Sequence, residues 1–119
     1  DYKIDTSHVY LTGLSMGGRG VWDLANKISD RLAAAIPICG PFVRVNPDNF
    51  SQLPIWCFHG VMDSTVPVAD SVRMVKMLRE AGCSIDFTTY SNADHDSWTE
   101  TYNNPEIYDW LLSHKKLQT

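Results

Sequence analysis

Apolar residues in this chain fall into short unbroken runs, separated by stretches of wider period. Val9-Tyr10-Leu11-Thr12 is apolar and β-branched and stops at Gly13, which predicts a short buried strand. Behind Gly17-Gly18, the residues Val21, Trp22, Leu24, Ala25 and Ile28 stand among polar ones at the spacing of a single helix stripe. Ala33 to Cys39 is a second strand-like run, closed by the turn signal Gly40-Pro41. Phe42 to Leu53 carries Pro47 and three Asn or Asp residues with little periodicity and reads as a loop. Ile55-Trp56-Cys57-Phe58 is a third run without polar alternation. Continuous apolar strands are buried on both faces, which predicts a parallel sheet with helices on each side. Val68, Val72, Val75 and Leu78 recur at helical spacing; Met74, Met77 and Ala81 widen the stripe, and Gly82 sits where a helix C′ glycine belongs. Ile85 to Tyr90 alternates, as a half-exposed edge strand does. Ser97-Trp98-Thr99-Glu100 has the capping-box pattern of a short helix. Asn104-Pro105-Glu106 combines a cap, a first-turn proline and an acid favoured by the helix dipole, with Ile107, Trp110, Leu111 and His114 on one face behind it.

Strand, helix, strand, loop, strand, helix, strand, helix is an α/β order, which implies right-handed crossovers between parallel strands. With 119 residues, the chain has the length of one domain and enough surface to bury a core. Hydrophobic residues at 44% and charged residues at 20% exclude a disordered chain. The net charge of -4, with no Lys/Arg cluster, argues against nucleic acid and anionic membrane surfaces as partners. No apolar run approaches the roughly 20 residues of a membrane span. Cys39, Cys57 and Cys83 show no C-x-x-C spacing, so no metal or redox cofactor is expected, and Cys39 and Cys57 read as small buried hydrophobes. The abrupt start at Asp1-Tyr2-Lys3 leaves room for a longer precursor, and the compartment, secreted, periplasmic or cytoplasmic, stays open.

Gly13-Leu14-Ser15-Met16-Gly17 is a G-x-S-x-G sequence with a strand before it and a helical stripe after it. The turn must be very sharp, and the flanking glycines leave room where a Cβ would strike a neighbouring element. It would raise the Ser15 hydroxyl to the top of the sheet, with the Met16 N–H and the helix N-terminus facing any negative charge that develops there. A serine hydroxyl is a weak nucleophile and needs a base, and the base needs an orienting acid. Asp63 follows the third strand and His95 the fourth, each in the loop at a strand's C-terminal end, where open α/β sheets bind ligands. Asp48, Asp70, Asp86, Asp94 and Asp96 compete for the acid role. Asp86 points out of an alternating strand, Asp70 lies in a helix, and Asp94 and Asp96 flank His95 and are expected in water. Among the other histidines, His8 and His114 read as structural or exposed. His59, at the end of a strand beside the site, reads as a hydrogen-bonding residue of a tight His-Gly turn. Trp98, three residues after His95, is a candidate pocket residue with Met16 and Phe42, whereas Trp22 reads as core. The segment Pro41 to Leu53 has the length of a substrate-binding excursion or of a solvated connector.

Gly13-Leu14-Ser15-Met16-Gly17-Gly18, His59-Gly60-Val61-Met62-Asp63-Ser64-Thr65-Val66-Pro67 and His95-Asp96-Ser97-Trp98 resemble the phospholipase/carboxylesterase and feruloyl-esterase-like branch of the α/β-hydrolases. Members of that branch are also similar to the prolyl oligopeptidase catalytic domain. The resemblance runs across the whole chain. It implies the C-terminal half of an α/β-hydrolase fold, four mostly parallel strands with flanking helices, with residues 1–119 as the C-terminal catalytic portion of a single domain. It implies Ser15 as nucleophile, His95 as base and Asp63 as orienting carboxylate. The expected activity is cleavage of small-molecule carboxylic esters through an acyl-enzyme. A serine peptidase of prolyl oligopeptidase type, or a fragment that needs an upstream segment, is the alternative. The loop that supplies the second oxyanion donor would lie in that upstream half. Val9 to Thr12 would then be an unprotected edge, paired with an upstream strand or with a copy of itself.

Overall fold

The computed structural model describes residues 9–114 of the chain. Four strands, β1 (Tyr10–Leu14), β2 (Ala34–Ile38), β3 (Ile55–Gly60) and β4 (Ile85–Tyr90), form one sheet in the order β1-β2-β3-β4, and every pairing is parallel. Helix α1 (Met16–Ile28) follows β1, α2 (Val68–Glu80) follows β3, and α3 (Trp98–Tyr102) and α4 (Pro105–Leu112) follow β4. This is the four-stranded parallel sheet with flanking helices that the sequence leads one to expect. Each crossover returns the chain to the same end, so the C-terminal ends of all four strands open onto one rim.

β2 is buried at every position, as its unbroken apolar run requires. β1, expected to be buried, is only half-buried with Thr12 exposed, because among the described residues it has a neighbouring strand on one side alone. On β4 only Ile85 is buried, Asp86 and Thr89 are exposed, and the strand forms the other edge. β2 also contains Pro37. The Ala35 and Cys39 N–H groups donate to the Pro54 and Phe58 carbonyls, and Pro37 between them has no N–H to give. The β2–β3 ladder is therefore interrupted at one rung.

Two apolar clusters lie on the two faces of the sheet. On one, Val21, Trp22 and Ala25 of α1 meet Met74, Val75 and Leu78 of α2. Leu24 and Val72 were read as part of these stripes, but they are 41% and 45% exposed. Each lies about a third of a turn from the centre of its helix's buried row. The segment Phe42 to Leu53 belongs to this same core. Val43, Val45, Phe50 and Leu53 are buried, and Pro47–Phe50 forms a 3₁₀ turn. Neither a substrate excursion nor a solvated connector fits, because its apolar side chains cover α1 and α2. On the opposite face Ile36, Ile38 and Phe58 pack with Ile107 of α4, edged by Trp56, Trp98 and Trp110.

The helix ends mostly follow the sequence signals. Gly82 takes φ 92° just past α2, and Asn104 accepts the Glu106 N–H at the start of α4. Two ends differ. Ser97 makes no cap bond to α3; Asp96 accepts the Thr99 N–H instead, one residue earlier than the capping-box pattern placed it. α4 ends at Leu112, so His114 lies past the helix, against the Trp110 ring at 4.6 Å. Among the described residues no helix is long and apolar enough to cross a membrane.

Candidate active site

Ser15 forms the single-residue bend between β1 and α1, with φ 53° and ψ -116°. Side chains other than glycine rarely occupy that region, and hydrogen bonds on both sides hold it here. The Ser15 N–H donates to the Ile38 carbonyl at 2.9 Å, and its carbonyl accepts the Arg19 N–H at 3.1 Å. Ser15 occupies the N-cap position, where a hydroxyl ordinarily accepts from the helix backbone, yet it makes no cap bond. Its Oγ instead lies 2.8 Å from His95 Nε2. The bend depends on close backbone approach at Gly13, where a Cβ would fall 2.5 Å from the Gly17 carbonyl oxygen. The space beside Gly17 itself is open. The second close approach belongs to Gly18, 2.6 Å from the Ile38 oxygen, and not to Gly17 as the sequence reading assigned it.

Asp63 lies three residues past β3, in a loop held to the His95 loop by direct stitching. The Val61 N–H donates to the Tyr90 carbonyl and the Met62 N–H to the Ala93 carbonyl. The Ser64 N–H and hydroxyl both donate to Asp94 Oδ1. Asp94 was expected free in water; it is exposed but bonded, and these two Ser64 donors hold its pKa below the usual carboxylate value. Asp63 Oδ1 accepts the Thr65 and Val66 N–H groups, both at 2.8 Å, and Oδ2 lies 2.8 Å from His95 Nδ1. Burial works to raise the Asp63 pKa, but the His95 bond and the Val66 and Thr65 N–H donors outweigh it, and the pKa is lowered. Asp63 is thus a carboxylate with a negative oxygen aimed at a histidine ring.

The other acids have different work. Asp70 accepts the Phe42 N–H, Asp96 caps α3, and Asp86 is exposed on β4. Phe42 is engaged with α2, its ring under the Arg73 guanidinium at 4.0 Å. Trp22 is core, as expected. Trp98 stands edge-on to His95, ring centres 5.5 Å apart, and Met16 is 71% exposed at the first turn of α1. His8 lies outside the described residues. The sequence reading took Cys39 for a small buried hydrophobe, and burial does raise its pKa. It is more than filler: it has φ 44°, and its sulfur lies with Asp63 and His95 ligand atoms inside 4.8 Å. A strand run that stops at Gly40-Pro41 beside the Ser15 bend was the available signal. Those three side chains could hold a metal ion by type, but the facing His95 Nδ1 and Asp63 Oδ2 atoms are already bonded to each other. A cleft of about 320 Å³ lined by Leu53, Pro54, Ser84 and Trp110 sits at the N-terminal ends of β3 and β4, away from Ser15.

Ser15, His95 and Asp63 therefore form one hydrogen-bonded chain built from the C-terminal ends of β1, β4 and β3. Chemically it can move a proton from the serine hydroxyl to an imidazole whose other nitrogen is held by a carboxylate.

The chain is similar to a bifunctional acetylxylan esterase/xylanase of Neocallimastix patriciarum, 30% identical across 99% of this chain and 18% of that protein. It also matches the crystal structure of a thermostable esterase at 38% identity and a TM-score of 0.90, covering 97% of this chain and 33% of that one. A dipeptidyl peptidase 4 of Porphyromonas gingivalis shares the fold at 15% identity and a TM-score of 0.78, over 93% of this chain and 20% of that one. The chain thus spans a third or less of each of these proteins. The family match agrees at the level of the α/β-hydrolase superfamily with the resemblance drawn from Ser15, Asp63 and His95. It covers residues 1–109, and by it this chain belongs to the dienelactone hydrolase family.

Proposed function

We propose that this chain carries the catalytic residues of a serine hydrolase that cleaves small-molecule carboxylic esters through an acyl-enzyme. The observation that carries the reading is the unbroken Ser15–His95–Asp63 chain, with both links at 2.8 Å. His95 Nε2 takes the hydroxyl proton as Ser15 Oγ bonds to the ester carbonyl carbon, and the carbonyl oxygen becomes an oxyanion. The Met16 N–H, first in α1, faces that charge. The tetrahedral species collapses, the carbon–oxygen bond to the alcohol breaks, and His95 gives its proton to the departing alkoxide. Water then repeats the sequence, releasing the carboxylic acid and restoring Ser15. Asp63 fixes the ring so that Nδ1 carries a hydrogen and Nε2 is free to act as base. Trp98, beside His95, forms one wall of the substrate pocket.

The esterase relatives support an ester substrate; the peptidase likeness is one of fold alone. Turnover of a p-nitrophenyl ester should greatly exceed that of a matched peptide amide. Comparable or faster amide cleavage would replace this reading with that of a prolyl oligopeptidase-type peptidase. Residues 1–119 form the C-terminal catalytic portion of one α/β-hydrolase domain in this reading. Among the described residues β1 has a strand on one side only, which supports an additional strand from an upstream segment or a second copy along Val9 to Thr12. A monodisperse monomer of this chain alone with full esterase activity would contradict that.

A further inference from the structure

Asp63 Oδ2 lies between two histidines. His95 Nδ1 stands 2.8 Å from it, and His59 Nε2 stands 3.2 Å from it. His59 is the next-to-last residue of β3 and is completely buried. Its Nδ1 is 2.7 Å from the Ser71 hydroxyl of α2, and its Nε2 is 2.7 Å from the Val66 carbonyl oxygen. A carbonyl can only accept, so Nε2 carries a hydrogen, and in a neutral ring Nδ1 then accepts from Ser71. Val66 in turn gives its N–H to Asp63 Oδ1. The result is a closed ring. Val66 holds one carboxylate oxygen, His59 holds Val66, and the same His59 N–H leans toward the other carboxylate oxygen.

We infer that His59 is a positioning residue for Asp63, which holds the carboxylate with Oδ2 aimed at His95. This rests on the proposed role of Asp63 as orienting acid. Three features favour it over a plain turn residue. The ring uses opposite nitrogens to join β3 to α2 and to the Asp63 loop at once. Ser71 is a polar residue in the buried stripe of α2, and its hydroxyl bonds to His59. An apolar replacement would leave that hydroxyl and the Val66 carbonyl without the partner each has in His59, a cost that ties the ring's two nitrogens to these positions.

Glutamine and asparagine separate the two ends of the ring. In His59→Gln the side-chain amide reaches the place of Nε2 and can donate to Val66. In His59→Asn it stops at the place of Nδ1 and keeps only Ser71. The test measures kcat and KM on a p-nitrophenyl ester, in the full-length protein, for both variants, for Asp63→Asn, and for His59→Asn combined with Asp63→Asn. We expect His59→Asn to lower kcat by roughly 10- to 100-fold with KM changed less than about threefold, the penalty of a misaimed catalytic group. His59→Gln should recover most of that loss. With Asp63→Asn already present, adding His59→Asn should cost less than about threefold, since no carboxylate is left to aim. Equal losses in both backgrounds, a folded His59→Asn with kcat near that of the parent, or no recovery with glutamine would each overturn the inference. An Asp63→Asn variant with undiminished kcat would instead remove the role of Asp63 itself, and the inference with it.

Discussion

Gly60→Ala is a one-carbon change at the join between the two loops that carry Asp63 and His95. A Cβ at Gly60 would lie 2.4 Å from the carbonyl oxygens of both Ala93 and Asp94. Ordinary contact begins near 3.4 Å, so the obstacle is about 1 Å deep. It is made of backbone, which cannot swing aside as a side-chain tip can. Gly60 has no left-handed φ, so the strain comes from this collision alone. The His95 loop must move off β3 by about that distance, and His95 is one residue past Asp94. A misplacement near 1 Å costs on the order of 100-fold in rate when it separates catalytic groups. Overpacking adds about 1–3 kcal/mol of destabilisation. Gly20→Ala is the control, because nothing lies within 4 Å of its added methyl on α1. It should leave activity unchanged and stabilise the helix by up to about 1 kcal/mol. The assay is kcat/KM on a p-nitrophenyl ester beside the thermal midpoint for each variant. Gly60→Ala with activity within twofold of the parent would refute the claim that this contact sets the His95–Asp63 geometry.

Asp63→Asn should cost about 10⁴-fold in kcat at neutral pH, because the amide favours the wrong histidine tautomer. Asp94→Asn should cost less than tenfold, since an amide oxygen still accepts from Ser64; a larger effect than that of Asp63→Asn would reassign the acid. Asp63 also affects acid stability. Its pKa is lower in the folded chain than the ordinary value of about 3.9, so its contribution is complete above that pH and is lost as pH falls through the folded value. The thermal midpoint of Asp63→Asn should therefore fall less steeply below pH 4 than that of the parent, and parallel curves would contradict this. Asp96→Ala removes the bond to the Thr99 N–H and should cost about 1 kcal/mol in thermal unfolding, while Ser97→Ala, which makes no cap bond, should cost α3 nothing as a cap.

What the sequence made legible was whatever depends on local pattern or on order along the chain. The runs at Ala34 and Ile55 announced buried parallel strands because a strand covered on both faces needs no alternation; the run at Tyr10 announced a parallel strand too, but that one is only half-buried, with Thr12 exposed. Ser15, Asp63 and His95 could be picked because each follows a strand. The fold brings all such loops to one rim, and there the three side chains meet. Contacts between loops were hidden, because spacing does not report them. Nothing near Asp94 in sequence points to Ser64, thirty positions away, and nothing near His59 says that its ring closes on Val66 and Ser71. The Phe42 to Leu53 segment is the loop its weak periodicity announced, broken by one 3₁₀ turn, but its burial was hidden, since Val43, Val45 and Phe50 pack into the core beside α1 and α2 without any regular spacing. The cap of α3 moved from Ser97 to Asp96 for a simpler reason. Both residues suit that role by type, but Ser97 already has helical backbone angles, φ -100° and ψ -7°, and makes no cap bond, so the carboxylate one residue earlier takes the Thr99 N–H.

Everything in the proposed chemistry depends on Ser15 being the nucleophile. The most direct measurement is labelling with a fluorophosphonate, a phosphorylating reagent that reacts with an activated serine hydroxyl, followed by peptide mapping of the full-length protein. One adduct is expected, on the peptide that contains Ser15, with none in Ser15→Ala and hydrolysis lowered by about a million-fold in that variant. An adduct on another serine, or a Ser15→Ala protein that keeps more than about a tenth of the parent turnover, would contradict it, since a triad without its nucleophile retains far less.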